Sequence, residues 1–245
     1  MTTIQEVLDR LDAIVLRCEN APSRLGYFAA LYRSMTLAVQ QGIAQKTFGS
    51  AERMERLDVI FAKRYIDAFD AWEKNQPVSK GWQAAFTASA DRLTVIQHLI
   101  LGVNTHINLD LAIAAAETCP DGDILVMQAD FDLINDTISS LVGEVQDKLT
   151  KVWWPLRFIR DITNKKEDAV INFSIVSARK ASWANAVALS AIQGSARTNY
   201  INGIDNTVTS LASGIIKPGF MVNLALKFVR MFEYKDVKRV IQLIK

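Results

Sequence analysis

Residues Val95 to Ala116 read VIQHLILGVNTHINLDLAIAAA, an apolar run with one formal charge, Asp110, and both histidines of the chain, His98 and His106. No proline interrupts it and its apolar positions do not alternate, so the pattern predicts a helix. At about 100° per residue Gly102, His106 and Asp110 share one face, and Asn104 and Asn108 lie on nearly the opposite one. Aliphatic residues fill the remaining directions, and a helix apolar on every side must be buried on every side. A membrane span of this length would carry Asp110 near its centre at about 2.5–3.5 kcal/mol, with two Asn and two His besides. The rest of the chain shows no second span and no positive-inside flanks, so the centre of a helical bundle is the better reading.

Burying those polar side chains costs roughly 1–3 kcal/mol each unless partners satisfy them. Two readings follow. In one, the residues form a structural network, with His106 donating to Asp110 and the asparagines tying neighbouring helices. In the other, they line a pocket: His106 and Asp110 at i, i+4 can share one divalent metal ion, completed by Asp58 or Asp130 from adjacent helices. His106, Asp110, Asp58 and Asp130 are therefore the candidate catalytic residues, and His106 and Asp110 the candidate metal ligands. A lone HxxxD supplies only two ligands and does not by itself define a site.

The chain has 245 residues, half of them hydrophobic, and five prolines, enough for one sizeable helical core. The expected fold is a single all-α domain over residues 1–245, a bundle of seven to ten helices around a buried central helix at about 95–117. Cys18 and Cys119 are far apart and form no CxxC motif. The N-terminus is acidic and amphipathic without a cleavable signal pattern, which predicts a cytoplasmic protein. Residues 1–150 carry 13 Lys/Arg against 20 Asp/Glu (−7), and residues 151–245 carry 15 against 6 (+9). That asymmetry suits either two halves that attract each other or an anionic partner for the C-terminal part. No single face gathers enough Lys and Arg to argue for nucleic acid.

In chain order, Thr3 and Glu6 read as a capping box opening a helix to Cys18. Helices are predicted over about Arg24–Ala44, from Ser50 to Lys74, after Ser79, from Ile124 to Val152, from Lys166 to Gln193 and from Ser195 to Gly214. A cationic helical tail runs from Phe220 to Lys245. The connector Trp153-Trp154-Pro155 with Arg157, together with that tail, raises peripheral contact with an anionic membrane.

Four segments carry a resemblance: MERLDVIFAKRYIDA (Met54–Ala68), HLILGVNTHINLDLA (His98–Ala112), DFDLIN (Asp130–Asn135) and SARKASWANAVAL (Ser177–Leu189). In that order they resemble the bacterial domain-of-unknown-function 5995 family, over most of residues 25–190. The resemblance implies an all-helical protein and supplies no activity. It also implies that Asp58, His106, Asn108, Asp110, Asp130, Asn135, Arg179 and Asn185, from four separate helices, converge, with His98 and Asn104 as further pocket candidates.

Two functions of different class remain. One is an enzyme on a small or lipid-like molecule, possibly metal-assisted. The other is a non-catalytic helical protein that binds a small apolar molecule or a partner, its polar core being structural.

Overall fold

The computed structural model describes residues 1–119, 123–134 and 166–245, with side chains in the last stretch from 176 onward. The predicted helix beyond 134, Asn135 and the Trp153–Trp154 connector lie outside the described residues. The described residues are helical, with no strand among them: α1 (Ile4–Asn20), α2 (Leu25–Ala44), α3 (Ala51–Glu73), α4 (Lys80–Thr87), α5 (Val95–Thr105), α6 (Leu111–Thr118), α7 (Lys166–Ala191), α8 (Gly194–Ile216), α9 (Phe220–Phe232) and α10 (Val237–Ile244). Short 3-10 turns cover Ala88–Ala90 and Ile124–Met127. The all-α expectation holds.

The helix starts follow from their caps. Ser50, Ser79 and Asp236 each accept from a backbone N–H of the first turn, a contact worth about 1 kcal/mol. Thr3 accepts from Glu6 N, but Glu6 reaches back to Thr2 N, so the reciprocal box is displaced by one residue. The full capping box lies instead at Thr94 and Gln97, opening α5.

The predicted central helix is central, and it is broken once. Between α5 and α6, His106–Asp110 form a π-helical turn in which Leu111 N–H bonds back to His106 O. Its N-terminal half joins a core built from α1, α2, α3, α4 and α10, through Val95 and Leu99. Its C-terminal half, through Ile107, Leu111, Ala114 and Ala115, joins a second core with α3, residues 124–134 and α7. Val95–Thr118 is apolar and long enough to cross a membrane, yet 83% of its apolar window is buried inside the protein.

The cationic tail is two helices that behave differently. α10 docks on α1 and α2, burying Val240, Ile241 and Ile244. α9 buries no residue.

Candidate functional site

The π turn places His106 at the meeting point of α2, α3 and α4. Gly102 lies one turn earlier on α5, and a Cβ there would stand 2.4 Å from the Phe28 ring, so only glycine lets α2 come this close. Phe28 and Tyr32 then face the imidazole from α2, at ring distances of 5.7 and 4.4 Å. From α3, Phe61 stacks on it at 3.7 Å and 9°, with Tyr65 at 6.0 Å. Trp82 of α4 completes the enclosure at 6.1 Å.

Within this cage His106 Nδ1 lies 3.0 Å from Asp110 Oδ2. Asp110 is itself held by two donors: Trp82 Nε1 to Oδ2 at 2.9 Å and Arg64 Nε to Oδ1 at 3.2 Å. Burial drives the His106 pKa below its ordinary value, against the opposing pull of Asp110. The neutral ring therefore keeps its proton on Nδ1, donates it to the carboxylate, and presents a bare lone pair at Nε2.

That nitrogen has no hydrogen-bond partner among the described residues, and it is not alone. Asp58 Oδ2 and Tyr65 Oη are likewise buried without a partner among the described residues, and the Tyr32 and Thr36 hydroxyls of α2 have only one another. Asp58 belongs to the same α3 stripe as Phe61 and Tyr65, and both Asp58 and Asp110 act on the Tyr32 hydroxyl. Burial, and then the charge of Glu55, push the Asp58 carboxyl up to about 8, so it is protonated at neutral pH. A neutral base and a neutral acid thus flank one tyrosine.

Beside the cage a partly open cavity of about 20 Å³, room for about one water, is lined by Arg24, Phe28, Tyr65, Trp82, His98 and Gly102. His98 packs edge-on to Tyr27, its Nε2 is unpartnered, and burial lowers its pKa to about 4.

The other candidates lie elsewhere. Asn108 Nδ2 donates to Asn104 O and Oδ1, both at 3.1 Å, and Asn104 donates to Val208 O at 3.0 Å, tying the central helix to α8. Asp130 accepts from Gly49 N at 2.6 Å, Ser50 N at 3.3 Å and Arg53 Nη2 at 3.3 Å, closing the start of α3. Arg179 donates to Phe131 O at 2.9 Å and lies over the Phe131 ring. Asn185 accepts from Tyr200 Oη at 3.0 Å. Of the residues expected to converge, His106 and Asp110 are in direct contact, Asp58 and Asp110 both act on Tyr32, and Asp130 and Asn185 are held by partners of their own.

The metal reading does not fit the donors. No group of three His, Cys, Asp or Glu among the described residues could hold a metal ion. Both oxygens of Asp110 are already engaged, and a cation there would face the Arg64 guanidinium. The residues the sequence reading missed are Phe28, Tyr32, Thr36, Arg64 and Trp82. The stripe Phe28–Tyr32–Thr36 at i, i+4, i+8 was the available signal, matching Asp58–Phe61–Tyr65 on α3.

The fold and this centre define an all-helical protein whose interior holds a histidine–carboxylate pair inside an aromatic cage. The chain belongs to the family of unknown function DUF5995, whose family model matches residues 4–218. No curated protein and no solved structure matches the chain.

Proposed function

We propose that the protein is an enzyme that moves a proton on a small, largely apolar or lipid-like molecule, with His106 Nε2 as the base and the protonated Asp58 carboxyl as the acid. The observation that carries this is a set of buried polar atoms without a partner among the described residues, His106 Nε2, Asp58 Oδ2 and Tyr65 Oη, beside the Tyr32 and Thr36 hydroxyls, which pair only with one another. A purely structural network removes such atoms, because each costs about 1–3 kcal/mol when buried unpaired. Active centres keep them for a substrate.

Asp110 orients the imidazole and stabilises the cation formed when Nε2 accepts a proton, while Trp82 and Arg64 hold Asp110. Environments that push two pKa values apart assign base and acid. The aromatic walls suit an apolar substrate body, and the cavity beside His98 and Arg24 shares Phe28, Tyr65 and Trp82 with the cage.

The test combines nitrogen NMR of labelled histidine with a screen of short- and long-chain esters, ketones and enones. The expected result is a His106 Nε2 resonance of an unprotonated nitrogen at pH 7 that moves with a bound compound. Turnover of that compound should fall at least 100-fold in His106→Gln. A protonated Nε2 at pH 7, or turnover undiminished in His106→Gln, would overturn the reading.

The second reading, a non-catalytic binding protein with a structural core, is favoured by one observation: Asp110 is fully engaged by His106, Trp82 and Arg64. Ligand-induced movement of the Nε2 resonance without any turnover across the screen would select it.

A further inference from the structure

α9 is turned inside out. Its sequence, FMVNLALKFVRMF, has three polar positions, Asn223, Lys227 and Arg230, which gather on one narrow side of the helix. The rest of the helix is apolar, and much of it faces away from the protein: Phe220 is 80% exposed, Met221 74%, Met231 71% and Phe228 60%, with Leu224 and Phe232 also exposed. α10, a few residues later, does the reverse and buries its apolar stripe.

The orientation of α9 is fixed by polar contacts rather than by packing. Arg230 Nη1 donates to Leu93 O at 3.0 Å, and the Glu233 carboxylate accepts from Val95 N at 3.1 and 3.3 Å, pinning the helix to the start of α5. Arg230 is thereby spent on the protein, while Lys227 and most of the apolar side are left outward. A contiguous exposed apolar face of this kind marks an interaction surface.

Its surroundings decide the occupant. Lys217, Lys227 and Lys235 are exposed around the face, with Lys238 and Arg239 exposed on α10. Residues 217–245 hold seven Lys/Arg against two Asp/Glu, and those two are committed, Glu233 to Val95 and Asp236 to the cap of α10. A second copy of the chain pressed face to face would bring the two lysine rims together with no carboxylate between them. A broken membrane span made of α8 and α9, which meet at 66°, conflicts with the buried Asp205, Val208 and Ala212 of α8. An apolar face rimmed by lysine matches the boundary between acyl chains and anionic headgroups.

We propose that α9 docks the protein on an anionic bilayer, lying in the interface plane with Phe220, Met221, Leu224, Phe228 and Met231 in the acyl boundary and Lys217, Lys227 and Lys235 at the headgroups. The docked orientation also brings the Arg24–His98 side of the molecule near the membrane, since Arg230 and Glu233 of the same segment act on His98 and Tyr27. This inference stands independently of the proton-transfer reading.

The test is vesicle co-sedimentation of the full chain with phosphatidylcholine vesicles and with vesicles containing one third phosphatidylserine. Wild type is expected to partition onto the anionic vesicles and to be released by salt. Changing Lys217, Lys227 and Lys235 together to Gln should weaken partitioning on the order of 100-fold, at about 1 kcal/mol per basic residue. Phe228→Ser with Met231→Ser should abolish it while circular dichroism and melting stay as in wild type. A Phe228→Trp reporter should be quenched by bromine-labelled acyl chains. Equal sedimentation with neutral and anionic vesicles would overturn the proposal. So would a dimer that the Phe228→Ser, Met231→Ser variant dissociates while wild type leaves vesicles unbound.

Discussion

Asp110 and Asp130 are buried to a similar degree, and each takes three protein partners, yet their surroundings differ. Asp130 closes the start of α3 through Gly49 N, Ser50 N and Arg53, and a Cβ at 49 would stand 3.2 Å from Oδ1, so the carboxylate would have to yield slightly to any larger residue. Beside it, among the described residues, Arg53 Nε is the unpartnered polar atom. On the turn and helices that enclose the His106–Asp110 pair, His106 Nε2, Asp58 Oδ2 and Tyr65 Oη have no partner among the described residues, and the Tyr32 and Thr36 hydroxyls have only one another. A carboxylate that caps a helix contributes to stability. A cluster that leaves acceptors and donors open loses stability and retains the capacity to bind.

The largest expected effect lies on the structural side of that contrast. Asp130→Ala removes the partner of two backbone N–H groups and leaves Arg53 without its carboxylate, so the protein should lose about 3–5 kcal/mol in urea unfolding. A loss below about 1 kcal/mol would erase the difference between the two centres.

Next comes Gly102→Ala. The added methyl stands 2.4 Å from Phe28, a ring that cannot swing away without opening the cage, so overpacking should cost about 1–3 kcal/mol. The same substitution should shift the His106 ring resonances, because Phe28 is one of its walls. Destabilisation without a shift at His106 would show that Phe28 does not shape the site.

These two positions also show how much the sequence made legible. The apolar run predicts a buried helix, and i, i+4 spacing predicts that His106 meets Asp110, as it does. Periodicity says that Phe28, Tyr32, Tyr65 and Trp82 point inward, but not that three helices aim them at one ring, because that depends on crossing geometry. The π turn was invisible for a related reason: a shift from i+4 to i+5 bonding across His106–Asp110 leaves the composition pattern unchanged. Asp130, Arg179 and Asn185 lie, like His106, in segments that carry the family resemblance, yet that carries no distance. Their hydrogen bonds place them in helix closure and helix pairing instead.

A third prediction uses pH. The folded pKa of Asp58, about 8, lies above its unfolded value of about 3.9, so between these the native state keeps a proton that the unfolded chain has lost. The associated stability is full below about pH 4 and is lost as pH rises through 8. His98 and His106 are lowered instead, so their contribution is lost only as pH falls below about 6.5. The window from about pH 6.5 to 8 therefore isolates Asp58. Wild-type stability should fall there by up to about 1.4 kcal/mol per pH unit, and Asp58→Asn should flatten the slope. An identical slope in both proteins would mean that Asp58 is ionised in the fold and cannot serve as the acid.

The smallest effect is the most discriminating. Thr36→Val replaces a hydroxyl by a methyl of nearly the same volume in a fully buried position. If the Thr36 hydroxyl belongs to a structural network completed by an ordered water, its loss strands that water and Tyr32, and the protein should lose about 1–2 kcal/mol. If the hydroxyl is one of the open groups around His106, the substitution removes an unsatisfied polar atom, and stability should hold or rise by less than about 1 kcal/mol. Asp130 supplies the reference for the same experiment, since removing a satisfied partner there is costly in either case. A Thr36→Val protein that melts higher than wild type while His106 keeps its neutral Nδ1–H form would place the open groups with the site rather than with the scaffold. A clear drop in melting temperature would return the whole cluster to the class that Asp130 represents.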